Sequence, residues 1–418
     1  MFKNFQFDRF ELDNGLILLV HQNPRIPLVS LNAFVTCGKD QNAPDSPGMA
    51  SLTARMLDEG TENYTSTELS KALEAIGAEM TSFSERELTA LTLQSHTQHL
   101  PLTLEILAEM MTRPTFPAER LKEERLKVIT HIAAMADDPQ IVGSQILNQH
   151  VYADTPIAAP VLGFPETLAD FTSGDLQAFH ARTYSPSNTI LIVSGDFETS
   201  HLENLVRTHF EGWTNPSFAP VSRWSLARQT APVEVSAAMD KEQLHIYIGH
   251  LGTVRKNPDH YSLQVLDVIL GGGPGFTSRI PKRMREDEGL AYVAYADISG
   301  SSGIYPGRFI AYVGTSPGNS DRVLEELRSE IRCIQAEGVT EEELEMAKHF
   351  LTGSFVFEFQ SNTSVSKSLL SIELFELGAD HINTYPQRIS EVTREDVVRV
   401  AREYLDTVNF TTVLVGSI

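Results

Sequence analysis

The sequence predicts an α+β protein of two homologous domains, each a mostly antiparallel sheet covered by helices on one face. Three observations carry this expectation. The chain has 418 residues, more than one hydrophobic core usually supports. Strand-like runs are mixed with long helical stretches in the order expected of antiparallel sheets with segregated helices. A cap–helix–turn–strand segment also closes both halves of the chain. Phe171 to Gly195 aligns without a gap on Val392 to Gly416, pairing Thr172 with Thr393, Asp175 with Asp396, Asn188 with Asn409 and Gly195 with Gly416. Such a recurrence implies duplication.

The elements follow in order. Asp8 to Leu12 and Leu16 to Val20 read as a hairpin, because Asn14-Gly15 between apolar runs favours a tight turn. A strand is expected at Leu28 to Thr36. Helices are expected at Gly48 to Leu57 and Ser66 to Ile76, the latter capped by Thr65 or Ser66, before a strand pair around Glu79 to Ser95. Two longer helices, about Pro101 to Met111 and Ala118 to Met135, end at Asp137-Asp138-Pro139, where proline disfavours helix at the residue before it. Residues 1–212 are expected to form the first domain. Trp213 to Val233, with prolines at 216, 220 and 232, reads as a linker, and residues 234–418 as the second domain. There the pattern predicts strands at Leu244 to Gly249, Ala291 to Ile298 and Gly307 to Val313. It predicts helices at Pro258 to Leu270, Phe276 to Glu286, Ser320 to Ala336 and Thr340 to Phe355, with a flexible break at Gly271 to Gly275.

Composition excludes several functions. With 41% apolar and 21% charged residues and no apolar run long enough to cross a bilayer, membrane insertion is not expected. The amino terminus lacks the apolar core of a secretory signal, which suggests a cytoplasmic location. A net charge of −22 opposes binding to nucleic acid or an anionic membrane. Cys37 and Cys333 are the only cysteines, too few for a disulfide scaffold, and both read as small core residues.

Chemistry is conspicuous by where it fails. His96 reads as a strand end, His99 as a loop or helix-start residue, and His250 as a strand-end histidine without a ligand partner; all three suit structural or solvated roles. No Gly-x-Ser-x-Gly nucleophile motif is present. No Gly-Lys-Ser/Thr follows the glycine run at Gly271, so a tight turn suits it better than a phosphate loop.

Gly48-Met-Ala-Ser-Leu-Thr-Ala-Arg55, followed by Gly60-Thr61, and Glu124-Arg-Leu-Lys-Val-Ile-Thr-His131 resemble two motifs of the pitrilysin/insulinase family of zinc peptidases. Tyr184-Ser-Pro-Ser-Asn188, with the strand ending at Gly195-Asp196, and the segment Arg285 to Tyr292 extend the resemblance over about residues 5 to 418. In that family the first helix carries an inverted His-x-x-Glu-His motif, which holds zinc and supplies a general base, and a later glutamate completes the ligands. The resemblance places Ser51 at the first histidine, Ala54 at the glutamate, Arg55 at the second histidine and His131 at the later glutamate. No metal is therefore expected on this chain.

The family's Arg and Tyr, seven residues apart, are matched by Arg285 and Tyr292. Some members divide labour between two homologous chains, as mitochondrial processing peptidase does. The resemblance implies a non-catalytic, substrate-binding subunit whose Arg285 and Tyr292 complete the site of a homologous partner carrying the zinc, with unfolded peptides as substrates. The alternative is a structural or assembly protein, similar to the core proteins of the respiratory cytochrome complex. An independent metallopeptidase built on His131 is the third reading.

Overall fold

The computed structural model describes residues 5–218, 223–275 and 277–418. Pro220 of the expected linker and Phe276 at the expected helix start lie outside the described residues. Six strands form the first sheet: β1 (Asp8–Glu11), β2 (Ile17–Gln22), β3 (Leu28–Val35), β4 (Glu79–Ser84), β5 (Thr89–His96) and β6 (Thr189–Gly195), in the order β1-β2-β6-β3-β5-β4. The second sheet contains β7 (Val233–Ala238), β8 (Leu244–Leu251), β9 (Ala291–Asp297), β10 (Arg308–Thr315) and β11 (Thr411–Gly416), in the order β7-β11-β8-β10-β9.

Removing β1 makes the two orders identical, strand for strand in chain sequence. The pairing senses match too: β2 runs parallel to β6 and β7 to β11, and the other neighbours are antiparallel. The recurring segments occupy equivalent places. Thr172 and Thr393 each close a capping box with Asp175 and Asp396, satisfying the first free amides of their helices. Each following strand ends on a glycine at positive φ, 144° at Gly195 and 128° at Gly416. A Cβ there would lie 2.2 Å from the carbonyl oxygen of Leu28 or Gln243, so both positions require glycine for the same reason.

The first half contributes helices α1 (Met49–Arg55), α2 (Ser66–Glu74), α3 (Leu100–Thr112), α4 (Ala118–Met135), α5 (Pro139–Val151), α6 (Pro165–Asp170), α7 (Ser173–Thr183) and α8 (Thr199–Phe210). The second contributes α9 (His260–Asp267), α10 (Arg279–Lys282), α11 (Ser320–Glu337), α12 (Glu341–Ser354), α13 (Asn362–Leu374), α14 (His381–Ser390) and α15 (Arg394–Tyr404). The helix expected up to Glu286 is shorter than its pattern suggested: α10 gives way to a π turn at Arg283–Asp287. Asp137-Asp138-Pro139 ends α4 as expected and also starts α5, where the Asp138 carboxylate accepts the Gln140 amide at 2.8 Å.

Each sheet carries its own half's helices on one face. Its other face takes a helix from the opposite half, which the sequence did not foretell. Leu147 and Val151 of α5 pack with Tyr247, Tyr312, Val413 and Val415 of the second sheet. Conversely, α13 lies across β3 and β6. Burial on both faces explains why Leu18, Leu19 and Val20 are all apolar: Leu18 and Val20 join the first half's core, and Leu19 the core shared with the second.

Seating α5 requires Gly143, whose Cβ would fall 2.3 Å from Cε2 of buried Tyr247. Alanine is the better helix former by ~1 kcal/mol, but overpacking a filled core costs about 1–3 kcal/mol. Gly143→Ala is therefore expected to lower unfolding free energy in a urea titration, whereas Gly353→Ala, with nothing within 4 Å, should raise it by up to about 1 kcal/mol. A Gly143→Ala chain as stable as the native one would mean that α5 does not sit on β8.

Candidate functional site

The zinc-helix frame folds as a helix. Gly48, at φ 97°, starts α1, and the Ala50 amide donates to Asn42 Oδ1 at 2.9 Å. The far end is fastened to β4, where the Ser82 hydroxyl donates to the Ala54 carbonyl at 2.8 Å. Ser51 and Ala54 are buried. Arg55 reaches α4 and donates from Nη1 to Glu124 Oε1 at 2.9 Å, while Lys127 Nζ holds the other oxygen at 3.0 Å.

A second pair lies beside it, with Arg120 Nε on Glu59 Oε2 at 2.5 Å and the Ser66 hydroxyl on the same oxygen at 2.9 Å. Burial, then the charges of Glu59 and Glu124, raise the Asp58 carboxyl to about 6. The region is a salt-bridge network in which guanidinium and ammonium groups pair with Glu59, Glu123 and Glu124.

Zinc needs three or four nitrogen, sulfur or oxygen donors converging on one point. Ser51, Ala54 and Arg55 offer a hydroxyl, a methyl and a cation, and the cation already occupies the nearest carboxylate. His131 is exposed on α4, about two turns beyond Glu124. Among the described residues, no group of three or more His, Cys, Asp or Glu is placed to hold a metal. These residues do not fit zinc.

The histidines set aside from sequence are held in other ways. His96 ends β5, and its ring accepts the Gln98 amide. His99 ends a short 3-10 turn. His250 lies inside β8 rather than after it; it is buried, with Nδ1 3.0 Å from the Leu251 carbonyl and Nε2 accepting the Asp406 amide at 3.1 Å. Cys37 is buried as expected, whereas Cys333 is only half-buried, with its sulfur 3.7 Å from Arg279 Nη1.

The second half holds a counterpart of the zinc-helix segment. In the first half the chain between β3 and β4 contains α1; in the second, the chain between β8 and β9 contains α9, α10 and the π turn. Arg285 lies in that turn and Tyr292 at the start of β9, an edge strand. The turn is pinned. The Leu290 amide donates to the Met284 carbonyl at 2.7 Å, Thr315 Oγ1 donates to the Leu290 carbonyl at 2.6 Å, and the Glu288 carboxylate bridges Arg283 and Arg322. The seven-residue separation thereby folds back on itself, and the Arg285 guanidinium stands 4.5 Å from the centroid of the Tyr292 ring. Tyr292 is 73% exposed, with Val293 and Tyr295 also exposed along the same edge. Gly271 serves this region by close approach, since a Cβ there would meet the Ala296 amide nitrogen at 2.1 Å.

Sequence reasoning found the Arg285/Tyr292 pair and the altered zinc frame. It did not find that Glu124 is the partner of Arg55, because no local signal joins residues 69 positions apart.

Residues 17–164 match the family described as insulinase, peptidase family M16, and residues 170–351 match the peptidase M16 inactive domain. The uncharacterized zinc protease YmxG of Bacillus subtilis is 26% identical over 85% of this chain and 85% of its own length. An uncharacterized zinc protease of Streptomyces coelicolor is also 26% identical, over 95% of this chain and 87% of its own. A peptidase M16 inactive domain from Pseudomonas fluorescens has the same fold, with a TM-score of 0.91 at 23% identity over 99% of this chain and 98% of that one. A protease from Helicobacter pylori superimposes with a TM-score of 0.90 at 20% identity over 98% and 99%.

The altered frame yields a direct expectation. Elemental analysis of the purified chain, after incubation with zinc and removal of excess, should find far less than one ion per chain. A stoichiometric, chelator-sensitive ion would contradict this account of Ser51, Ala54, Arg55 and His131.

Proposed function

The chain belongs to the insulinase family of M16 peptidases, and from that premise we propose that it is a non-catalytic, substrate-binding subunit of a two-chain zinc peptidase. The observation that carries this reading is the pinned Arg285–Tyr292 stack on an exposed edge strand, in a chain whose own zinc frame is closed by the Arg55–Glu124 ion pair. A scaffold protein has no evident need for that pair.

In the proposed pair, a homologous partner bears the zinc, which supplies an activated water when bound. This chain contributes binding and orientation. The Arg285 guanidinium presents several donors in a rigid plane and holds a carbonyl or carboxylate of an unfolded peptide in fixed geometry. The Tyr292 hydroxyl donates to the oxygen that gains charge as the tetrahedral intermediate forms. Stacking of the guanidinium on the ring limits the rotamers of both, so less freedom is lost when the peptide binds.

With the zinc-bearing homologue supplied and assembly verified by size, Tyr292→Phe is expected to lower turnover by about 10²-fold, the scale of losing one oxyanion donor. Arg285→Ala should chiefly raise KM for an unfolded peptide. The isolated chain should cleave nothing. Unchanged kinetics in both correctly assembled variants would make the pair structural and favour the assembly-protein reading.

A further inference from the structure

We propose that the second half carries a binding site for a small zwitterion, a free α-amino acid or a dipeptide, in the cavity between α9, α13, α14 and the 3-10 turn at Phe355–Phe359. This site is separate from the Arg285–Tyr292 pair and does not depend on the function proposed for it. The cavity has a volume of about 370 Å³, within the range of small-molecule sites. Arg255, Glu358 and Gln264 face it, and one wall is aromatic, formed by Phe355 and Tyr385 stacked at 4.2 Å between centroids.

Arg255 and Glu358 are opposite charges lining one cavity, close enough to influence each other's ionisation. Among the described residues, however, no ion pair within 4.0 Å joins them or engages either with another group. Burial disfavours both charged forms. It lowers the pKa of the guanidinium against the opposing effect of Tyr261, Tyr385 and Glu358, and it raises that of the Glu358 carboxyl against Arg255 and a hydrogen bond from Ser368. Glu358 is exposed and bonded by Ser368, so the cost of a charge without an ion-pair partner falls on half-buried Arg255.

A zwitterion complements both charges. Its carboxylate takes the planar donors of Arg255, and its ammonium reaches Glu358. A simple anion would meet Glu358, and a simple cation would meet Arg255. His381 adds no further positive charge at neutral pH: burial, then Arg255 and Arg388, lower its pKa to about 4, and its Nδ1 lies 3.1 Å from the Tyr261 hydroxyl. Lys367 is exposed at the rim. The side chain of the ligand would lie against Phe355 and Tyr385.

The test uses the full chain alone. A thermal-shift screen of the standard amino acids and a set of dipeptides, followed by titration calorimetry, should find at least one zwitterion that binds, and which set responds tells amino acid from dipeptide. For the ligand found, N-acetylation or C-terminal amidation should weaken binding by about tenfold or more, the loss of one charge-assisted contact. Glu358→Gln should remove the preference for the free ammonium over the N-acetyl form, and Arg255→Gln the preference for the free carboxylate over the amide. No binding at about 10 mM (a Kd weaker than the millimolar range), or equal binding of blocked and free forms to the native chain, would overturn the proposal whether or not the variants fold.

Discussion

The reciprocal exchange of helices between the halves is the constraint on which the rest of the structure depends. A two-faced apolar sheet cannot stand in water with one face bare, and each half here has helices enough for only one face of its sheet. Helix α5 covers the second sheet and α13 covers the first. Neither sheet is therefore completed by its own half. The arrangement makes the placement of α1, α4 and the β9 edge a property of the whole chain.

The two crossings differ in chemistry. Helix α5 meets its sheet through Leu147, Val151 and Tyr152 against Tyr247, Tyr312, Val413 and Val415. Helix α13 meets β3 and its neighbours through hydrogen bonds as well: Asn32 donates to Ser366 Oγ at 3.0 Å, Gln94 to Thr363 Oγ1 at 2.6 Å, and Asn23 to Asn362 Oδ1 at 3.1 Å. Apolar burial stabilises in proportion to area, whereas each hydrogen bond contributes a net of only about 1 kcal/mol but demands a particular geometry. Both crossings bury apolar side chains, Val365 and Leu369 of α13 joining Leu19, Phe34, Ile190 and Ile192, and the hydrogen bonds of α13 add a geometric constraint on its register.

Much of this was legible in the residues. Thr172 with Asp175 and Thr393 with Asp396 announced two equivalent helix starts, and Gly195 and Gly416 two equivalent strand ends, because capping and positive φ are set by local chemistry. The crossings were not legible. A buried helix reads the same whichever sheet it covers, so Leu147 and Val151 give no sign that their partners lie in the other half of the chain. Strand β7 was hidden by its neighbours, since the prolines at 216, 220 and 232 mark a linker and β7 begins immediately after them. At the candidate site, the Arg285 and Tyr292 spacing is local and could be read; the pairing of Arg55 with Glu124 spans 69 positions and could not.

Duplication also explains why the two chemically marked regions occupy corresponding places. Strands β4 and β9 are equivalent edges, and each follows the segment that in the first half contains α1 and in the second the π turn. One duplicated layout carries different side chains beside its edge strand in each copy. In the first, the Arg55 guanidinium pairs with Glu124 in a region dense in acids, where burial and the charges of Glu59 and Glu124 raise the Asp58 carboxyl. In the second, the guanidinium of Arg285 leans on Tyr292 at an edge whose residues remain exposed. The same type of side chain marks the corresponding segment of each half. What separates the two is the neighbour each arginine meets, the Glu124 carboxylate in the first half and the aromatic face of Tyr292 in the second.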